Sequence, residues 1–360
     1  MGISEKSFRI GCGRYLQEPY LISKCGFEIS RFSNKALIVG GRTALSITKD
    51  KIEQSLKDSN LIYEIIEHIG SCNKDDAALL AAKAQDEGFG VIVGVGGGVI
   101  MDFAKLIANL AKLPIINIPT STATCAAYTP LSVCYTKDGR TVGTEHFEKE
   151  VDSVLVDTAI ITAQPTRLFL AGVFDALAKF VEIKQRIATV KGSLGLDWAY
   201  IMAEASFDKL NSNVDAVLYD MKQNNISELI EQTAFITIAV TGVISGIARG
   251  SNQCALAHKF YETARKLYSK ESKAFLHGEM VGVGLLLQNH FNGEQDKNDA
   301  LIQLMEQNNM PYNVEGVGVT ADTSSLEAFY QAICNSSAID KNNFEECKKF
   351  KRSLEYFWAL

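Results

Sequence analysis

The first 160 residues alternate short apolar runs with amphipathic segments. Apolar runs with the length of buried strands occur at residues 36–40, 61–66, 90–93, 115–118, 131–136 and 153–156. Between them, apolar positions recur at the helical period, which predicts helices at residues 43–56, 75–87 and 101–111. Asp75 and Asp76 are expected to cap the second of these helices. The alternation predicts a parallel sheet of the nucleotide-binding type, with ligands at the carboxyl ends of the strands.

The pattern changes after Pro165. Strand-like runs disappear, and Ala, Leu, Glu and Lys recur at helical spacing through the rest of the chain. Helices are predicted at residues 166–189, 195–210, 226–247, 253–268, 278–292, 299–307, 324–335 and 343–357. We therefore predict an α/β nucleotide-binding domain over residues 1–162 and an all-helical domain over residues 163–360.

Composition narrows the classes of partner. The chain has 360 residues, of which 47% are hydrophobic, and its net charge is −6 at pH 7. Because it lacks a long Lys/Arg-rich block, we expect it to bind a small molecule rather than nucleic acid or an anionic membrane. The amino terminus lacks the apolar core of a signal peptide, no 18-residue apolar stretch is free of charge, and the eight cysteines form no C-x-x-C pair. These features predict a cytoplasmic protein with reduced thiols.

A glycine-rich turn joins one predicted strand to the next helix. Residues 94–98 read Gly-Val-Gly-Gly-Gly, between the strand at 90–93 and the helical stretch from Met101. Such a turn directs backbone N–H groups and the positive end of the helix dipole to one point, which suits a phosphate or pyrophosphate. The spacing differs from the common G-x-G-x-x-G fingerprint, so a simple tight turn is the alternative interpretation of the glycines alone.

Five segments add chemistry to this frame. They are Gly96-Gly97-Gly98 followed by Asp102 and Lys105, Ile118-Pro119-Thr120 with residues 131–136, Gly172-Val173-Phe174-Asp175-Ala176-Leu177, Ala257-His258, and His277-Gly278-Glu279. In this order they resemble the metal-dependent branch of the iron-containing alcohol dehydrogenase and glycerol dehydrogenase family over nearly the whole chain. The segment around Cys125 looks closest to the hydroxycarboxylate dehydrogenase-like subgroup. The resemblance implies the dehydroquinate synthase-like fold, with an NAD(P)-binding domain followed by a metal-binding, catalytic domain.

The resemblance also implies cofactors and their sites. Asp175, His258 and His277 are expected to bind one divalent metal, and a carboxylate with two imidazoles suits both Zn²⁺ and Fe²⁺. The implied coenzyme is NAD or NADP, with implied contacts at Gly41, Arg42, Gly96, Gly97, Gly98, Val99, Asp102, Thr120, Ser121, Thr129, Leu131 and Tyr135. The implied activity interconverts a small alcohol or 2-hydroxy acid and its carbonyl form by hydride transfer, in the cleft between the two domains. A homo-oligomer is also expected.

Lys179 departs from the family pattern. It stands four residues after Asp175, where members with three histidines have another histidine. The two side chains share a helical face, so an ion pair between them is one interpretation. If this face points to the active site, Lys179 is a catalytic and substrate-binding residue whose ammonium holds a substrate carboxylate or donates a proton.

Further departures bear on specificity. Cys125 occupies the position of the aspartate that contacts the polyol in glycerol dehydrogenases. Loss of that charge favours an anionic substrate such as a 2-oxo or 2-hydroxy acid, while packing is the alternative role for Cys125. Gly41 stands where many relatives have an aspartate, and Arg42 beside it is expected to accept a 2′-phosphate, so NADP is permitted as well as NAD. Val99 offers no side-chain contact to a phosphate.

Other functions stay open at this point. Within the family, the alternative is a dehydrogenase of glycerol or a glycerol phosphate. Dehydroquinate synthase-like lyases share the fold, but they need more lysines and arginines for a phosphorylated sugar acid than follow Asp175 here. A non-catalytic nucleotide-binding relative is the remaining alternative, and the presence of all three implied metal ligands argues against it.

Overall fold

The computed structural model describes residue 8 and residues 10–137, 139–190, 193–249 and 252–360. These residues group into two compact units. We call residues 10–165 together with 213–243 the sheet unit, and residues 166–212 together with 244–360 the helical unit. The division after Pro165 lies near the predicted boundary at residue 162, but residues 213–243, which the sequence placed in the helical domain, group with the sheet.

The strands all lie in the sheet unit. They are β1 (Tyr15–Glu18), β2 (Lys35–Gly41), β3 (Ile62–His68), β4 (Val91–Gly96), β5 (Ile115–Pro119), β6 (Leu131–Tyr135), β7 (Thr141–His146) and β8 (Ser153–Asp157). Six of them form a sheet in the order β1-β8-β5-β4-β2-β3, and every described pairing in it is parallel. This arrangement confirms the predicted parallel sheet. Strands β6 and β7 form a separate antiparallel hairpin.

Two strands have no counterpart in the sequence prediction. Strand β1 has only four residues, Tyr-Leu-Gln-Glu, and all four are partly buried at the edge of the sheet. Strand β7 reads Thr-Val-Gly-Thr-Glu-His, and nearly all of it is exposed. Neither has the apolar run or the clean alternation by which a strand is recognised in a sequence, because neither buries a full face.

Most of the predicted helices are present, but Cys25–Ser30 and Thr158–Thr162 were not predicted, and the helix predicted at residues 226–247 is divided by a π-helical turn. The helices are α1 (Cys25–Ser30), α2 (Arg42–Asp58), α3 (Lys74–Asp86), α4 (Gly98–Ala111), α5 (Thr158–Thr162), α6 (Thr166–Thr189), α7 (Leu194–Lys222), α8 (Glu228–Phe235), α9 (Thr241–Ile247), α10 (Leu256–Leu267), α11 (His277–Asn292), α12 (Asn298–Gln307), α13 (Thr323–Cys334) and α14 (Phe344–Trp358). Helix α7 continues to Lys222, beyond its predicted end at residue 210. The cap of α3 is Asn73 rather than Asp75 or Asp76, because the Asn73 side chain accepts a hydrogen bond from the N–H of Asp76.

A π-helical turn, Ile236–Val240, joins α8 to α9. The stretch Glu228–Ile247 is long and apolar enough to span a membrane by length and composition. However, 61% of its most apolar 18 residues is buried inside the protein, as is usual for a core helix. Helix α8 packs near β1, where the Tyr15 and Phe235 rings meet edge to face and Gln17 donates a hydrogen bond to the Glu231 carbonyl.

Helix α11 lies inside the helical unit, and nearly all of its residues are buried. It packs against α6, α10 and α14, and the aromatic core beside it includes Phe260, Phe329 and Phe357. Two glycines of α11 allow this close packing. A Cβ at Gly278 would lie 1.8 Å from the carbonyl oxygen of Ala171 in α6, and one at Gly284 would lie 2.6 Å from that of Ala257 in α10. Glycine at these positions brings the three helices that carry the candidate metal ligands together.

Candidate metal and coenzyme sites

Three helices of the helical unit place the predicted metal ligands in one cluster. Helix α6 contributes Asp175, α10 contributes His258, and α11 begins with His277. The Nε2 atoms of His258 and His277 lie 3.4 Å and 3.5 Å from Oδ1 of Asp175. One potential ligand atom of each residue therefore lies within 4.8 Å of the other two. The structure thus brings Asp175 together with two histidines that follow it by 83 and 102 positions (258 − 175 = 83; 277 − 175 = 102).

Lys179 lies inside this cluster. It is one helical turn after Asp175, is buried, and places its Nζ 3.2 Å from Oδ1 of Asp175 and 3.2 Å from Nε2 of His258. The shared helical face and the ion pair with Asp175 are thus as the spacing indicates. The ammonium stands beside the atoms that would bind a metal, so Lys179 contributes positive charge at the site itself.

The Asp175 carboxylate is suited to a cation. It is buried, and within the described residues its Oδ1 accepts no well-formed hydrogen bond, although nitrogens of Lys179, His258 and His277 lie 3.2 Å, 3.4 Å and 3.5 Å from it. Burial raises the pKa of Asp175, but the Lys179 ammonium and the two adjacent histidines outweigh burial and hold that pKa well below its usual range. Asp175 is therefore ionised at neutral pH. A buried anionic oxygen that faces two imidazole nitrogens matches the ligand set of a catalytic Zn²⁺ or Fe²⁺ site.

Glu182 orients the His258 imidazole. It lies one further turn along the same face of α6, is fully buried, and its Oε2 is 2.5 Å from Nδ1 of His258. Its Oε1 accepts hydrogen bonds of 2.8 Å from the backbone N–H groups of Ala255 and His258. Burial is the largest single influence on the pKa of His258 and lowers it, but the Glu182 carboxylate, together with Cys254 and Asp175, outweighs burial and raises the pKa to about 10. With Nδ1 donating to Glu182, Nε2 is directed at Asp175.

Glu279 and Tyr261 hold the His277 end of the cluster. Glu279 forms two 2.6 Å hydrogen bonds with the Arg167 guanidinium, and it also accepts a 2.7 Å hydrogen bond from the N–H of Leu276. These contacts attach the first turn of α11 to the beginning of α6. The Tyr261 ring meets the His277 ring edge to face, with centroids 4.4 Å apart. Sequence reasoning missed Glu182, Tyr261 and Arg167, although Glu182 lies seven residues after Asp175 and so shares its helical face.

The predicted phosphate-binding turn lies in the sheet unit, between β4 and α4. Gly97 precedes the first residue of α4, so the first N–H groups of that helix face the end of the strand. A Cβ at Gly96 would lie 2.9 Å from Ile100, and one at Gly98 would lie 2.9 Å from Thr124, so packing within the protein excludes side chains at both positions. At Gly97 a Cβ would meet only the Ser121 hydroxyl, at 3.6 Å. The turn therefore has an open side at Gly97.

Residues from the next strand line the same turn. The N–H of Thr120, directly after β5, donates a 3.0 Å hydrogen bond to the Gly96 carbonyl. Ser121 is buried, and Val99 is partly exposed on the first turn of α4. The structure thus brings together six of the residues that were predicted as coenzyme contacts: Gly96, Gly97, Gly98, Val99, Thr120 and Ser121.

Asp102 and Lys105 form a buried ion pair behind this turn. Nζ of Lys105 lies 3.0 Å from Oδ1 of Asp102 and donates to the carbonyls of Ala126, Thr129 and Leu131. Oδ2 of Asp102 accepts a 3.1 Å hydrogen bond from the N–H of Val133 in β6. The pair therefore attaches the loop before β6, and β6 itself, to α4. Asp102 and the carbonyls of Thr129 and Leu131, all predicted as coenzyme contacts, thus also make contacts inside the protein.

Three other predicted residues lie nearby in the sheet unit. Cys125 is partly buried in the turn after Thr124, where its carbonyl accepts a 2.9 Å hydrogen bond from the N–H of Tyr128. Tyr135 ends β6, and its N–H donates a 2.8 Å hydrogen bond to the Cys72 carbonyl. Gly41 ends β2, where a Cβ would lie 3.2 Å from Ile100.

Arg42 is already engaged by a carboxylate that the sequence analysis did not single out. Its Nε lies 2.8 Å from Oε1 of Glu67, near the end of β3. Both side chains are exposed, with 71% and 41% of their surfaces accessible. The expected 2′-phosphate acceptor thus stands next to a negative charge.

Comparison with known proteins agrees with this architecture. The family model for iron-containing alcohol dehydrogenase matches residues 12–158. The chain is 30% identical to hydroxycarboxylate dehydrogenase A of Escherichia coli strain K12 over 268 residues, which cover 73% of this chain and 72% of that protein. It is 28% identical to a glycerol dehydrogenase of Escherichia coli O6:H1 over 280 residues, which cover 77% of this chain and 75% of the relative.

Solved structures share the fold over almost the whole chain. A probable glycerol dehydrogenase from Sinorhizobium meliloti 1021 superposes with a TM-score of 0.83 at 21% identity, covering 98% of both chains. A sulfoacetaldehyde reductase from Bifidobacterium kashiwanohense, solved in complex with NAD⁺, superposes with a TM-score of 0.76 at 13% identity, again covering 98% of both chains. At these identities the superpositions establish the fold alone.

Proposed function

Since the chain belongs to the iron-containing alcohol dehydrogenase family, we propose that it interconverts a small 2-hydroxy acid and its 2-oxo acid with a nicotinamide coenzyme. The general activity, metal-dependent oxidation or reduction at an alcohol carbon, follows from the family and from relatives that are glycerol and hydroxycarboxylate dehydrogenases. The observation that carries the proposal is the convergence of Asp175, His258 and His277 around one point with the Lys179 ammonium beside them.

Asp175, His258 and His277 would hold the divalent metal, and their chemistry suits Zn²⁺ or Fe²⁺. When bound, the metal supplies the Lewis acid that polarises the substrate oxygen. Glu182 keeps the Nδ1 proton of His258 in place, so that Nε2 points at the cluster and would bind the metal after losing its own proton. The bidentate contact between Glu279 and Arg167 holds the first turn of α11 against the start of α6, and this fixes the position of His277.

The β4–α4 turn is the proposed site of the coenzyme pyrophosphate. Its donors are backbone N–H groups at the start of α4, since Val99 offers no polar side chain. Binding of NAD⁺ by a reductase of the same fold supports a dinucleotide at this turn. Thr120 and Ser121, adjacent to the turn, are proposed to contact the nicotinamide half.

The preference for an acid substrate rests on charge. Lys179 places an ammonium within 3.2 Å of two proposed metal ligands, where it can donate to a carboxylate next to the reacting carbonyl. Cys125 provides no acidic group of the kind that glycerol dehydrogenases are expected to have at this position. The similarity to hydroxycarboxylate dehydrogenase A supports the same substrate class.

Glycerol oxidation is the second candidate, favoured by the similarity to glycerol dehydrogenases. The two candidates separate in a coupled assay. Metal-loaded protein with NADH or NADPH is tested against 2-oxo acids, neutral aldehydes and dihydroxyacetone. We expect the highest kcat/KM with a short 2-oxo acid, whereas preference for dihydroxyacetone would assign the protein to glycerol metabolism. We further propose that it acts in the cytoplasm as a homo-oligomer.

A further inference from the structure

Glu67 and Arg42 lie at the carboxyl edge of the sheet, on the side of the glycine turn away from β5. In the sheet order, β4 is followed by β2 and then by β3. Gly40 of β2 pairs with both Val95 of β4 and Glu67 of β3, so these three residues form one row across the sheet. With strands about 4.8 Å apart, Glu67 lies two strands, or about 10 Å, from the end of β4.

This position is where the adenosine half of a dinucleotide is expected. The pyrophosphate is proposed to bind the turn after β4, and the nicotinamide half is proposed to extend toward Thr120 after β5. The adenosine half then extends the other way, over the ends of β2 and β3. In nucleotide-binding sheets of this type, a carboxylate at the end of a neighbouring strand accepts hydrogen bonds from the ribose hydroxyls and repels a 2′-phosphate.

The end of β2 has no such carboxylate. Its last residues are Gly40 and Gly41, and both are tightly surrounded. A Cβ at Gly40 would lie 2.5 Å from Leu45, and one at Gly41 would lie 3.2 Å from Ile100. The strand therefore ends in glycine for packing reasons, and an acidic group must come from elsewhere.

We infer that Glu67 supplies this carboxylate and selects NAD over NADP, with Arg42 as the positioning residue that holds it. The inference rests on the proposed coenzyme site. The 2.8 Å contact between Nε of Arg42 and Oε1 of Glu67 fixes one carboxylate oxygen and leaves Oε2 to accept from the ribose. A 2′-phosphate would meet the Glu67 charge, and the guanidinium that would otherwise bind it is already paired.

The chain offers a matched control for this assignment. Glu64 lies on the same strand, and its carboxylate pairs with Lys83 at 3.0 Å. Glu67→Gln and Glu64→Gln each remove one partly exposed negative charge from β3, but only the former changes the carboxylate beside Arg42. Because both side chains are exposed, neither substitution is expected to affect folding.

The test is direct titration of NADH and NADPH by fluorescence, without substrate, on the wild type and three variants. We expect the wild type to bind NADH at least tenfold more tightly than NADPH. Glu67→Gln should shift this ratio toward NADPH at least tenfold, while Glu64→Gln leaves it within twofold. Arg42→Ala should not weaken NADPH more than NADH.

The outcomes separate the two levels of the proposal. A wild type that binds neither coenzyme would overturn the proposed coenzyme site and this inference with it. A wild type that binds NADH but keeps its NADH-to-NADPH ratio in Glu67→Gln would overturn the Glu67 assignment alone. Preference of the wild type for NADPH, with selective loss of NADPH binding in Arg42→Ala, would make Arg42 the phosphate acceptor instead.

Discussion

Glu182 holds both the backbone and the ring of His258. Its Oε1 accepts a 2.8 Å hydrogen bond from the His258 N–H, and its Oε2 lies 2.5 Å from Nδ1 of the same histidine. A buried carboxylate in this position fixes both the tautomer and the direction of the imidazole. The geometry of the candidate metal site therefore depends on a residue that is not itself one of the three proposed ligands.

The orienting role of Glu182 is tested by substituting the residue. Glu182→Gln keeps the size of the side chain but removes the charge that stabilises the Nδ1 proton, so metal affinity should fall by about tenfold to a hundredfold. Metal affinity is measured by competition with a fluorescent chelator. Glu294→Gln, which removes a half-buried carboxylate paired with Lys184 and Lys297, is the control and should bind metal as the wild type does. Unchanged affinity in Glu182→Gln would refute the orienting role.

Lys179 gives a prediction with two readouts. Lys179→Met removes the ammonium and keeps the length of the side chain, so kcat/KM for a 2-oxo acid should fall by about tenfold to a hundredfold, the value of a charge-assisted hydrogen bond. A neutral aldehyde should lose much less. Because a like charge next to the ligands also opposes a cation, metal affinity should rise by about tenfold.

Lys179→Arg separates these effects, since it keeps the charge but not the position. In Lys179→Met, equal losses of kcat/KM with the acid and the aldehyde would indicate that Lys179 transfers a proton or supports the metal site instead. No loss with either substrate would leave Lys179 as the ion-pair partner of Asp175.

The open side of the glycine turn leads to a third prediction. At Gly97 a Cβ meets only Ser121 at 3.6 Å, so Gly97→Val should leave the melting temperature close to that of the wild type while blocking the coenzyme. Gly94→Ala is the contrasting variant, since its Cβ would lie 2.7 Å from Ala104 and should destabilise the fold. Unaltered NADH titration of a folded Gly97→Val protein would place the pyrophosphate elsewhere.

The buried pair Asp102–Lys105 leads to a fourth prediction, on stability. Lys105→Met leaves the Asp102 carboxylate without its counter-charge and three backbone carbonyls without their donor, so unfolding free energy should fall by about 3–5 kcal/mol. Urea denaturation measures this loss. The double variant Asp102→Asn/Lys105→Met should recover part of it, because no unpaired charge is then buried. A loss below about 1 kcal/mol in the single variant would show that the pair does not hold the loop.

Much of the fold could be predicted from the sequence, because buried strands and buried helix faces place apolar residues at characteristic spacings. The fully buried strands β4, β5 and β8 consist mostly of Val, Ile and Leu, and α6 has the predicted bounds, residues 166–189. The edge strand β1 and the exposed strand β7 lack such a pattern. The grouping of residues 213–243 with the sheet depends on contacts such as Tyr15 with Phe235, which local periodicity does not encode.

Some residues of the candidate sites could be found from the sequence, and others only from the structure. Asp175, His258 and His277 were found through the resemblance of their segments to a family, and Lys179 through its spacing from Asp175. Glu67 was missed because nothing in its neighbourhood marks it; only the register between β2 and β3 places it beside Arg42. Asp102 was expected to contact the coenzyme, and only the fold shows that its carboxylate faces Lys105 and the N–H of Val133.

Metal reconstitution tests the central claim most directly. Metal-free protein is titrated with Zn²⁺ or Fe²⁺ while NADH oxidation by a 2-oxo acid and NADH binding are followed in parallel, for the wild type and for His277→Ala. We predict that wild-type turnover rises to a plateau at about one metal ion per chain, and that His277→Ala binds NADH normally but shows no turnover. Full turnover by metal-free wild type, or by His277→Ala, would contradict a metal-dependent reaction at Asp175, His258 and His277.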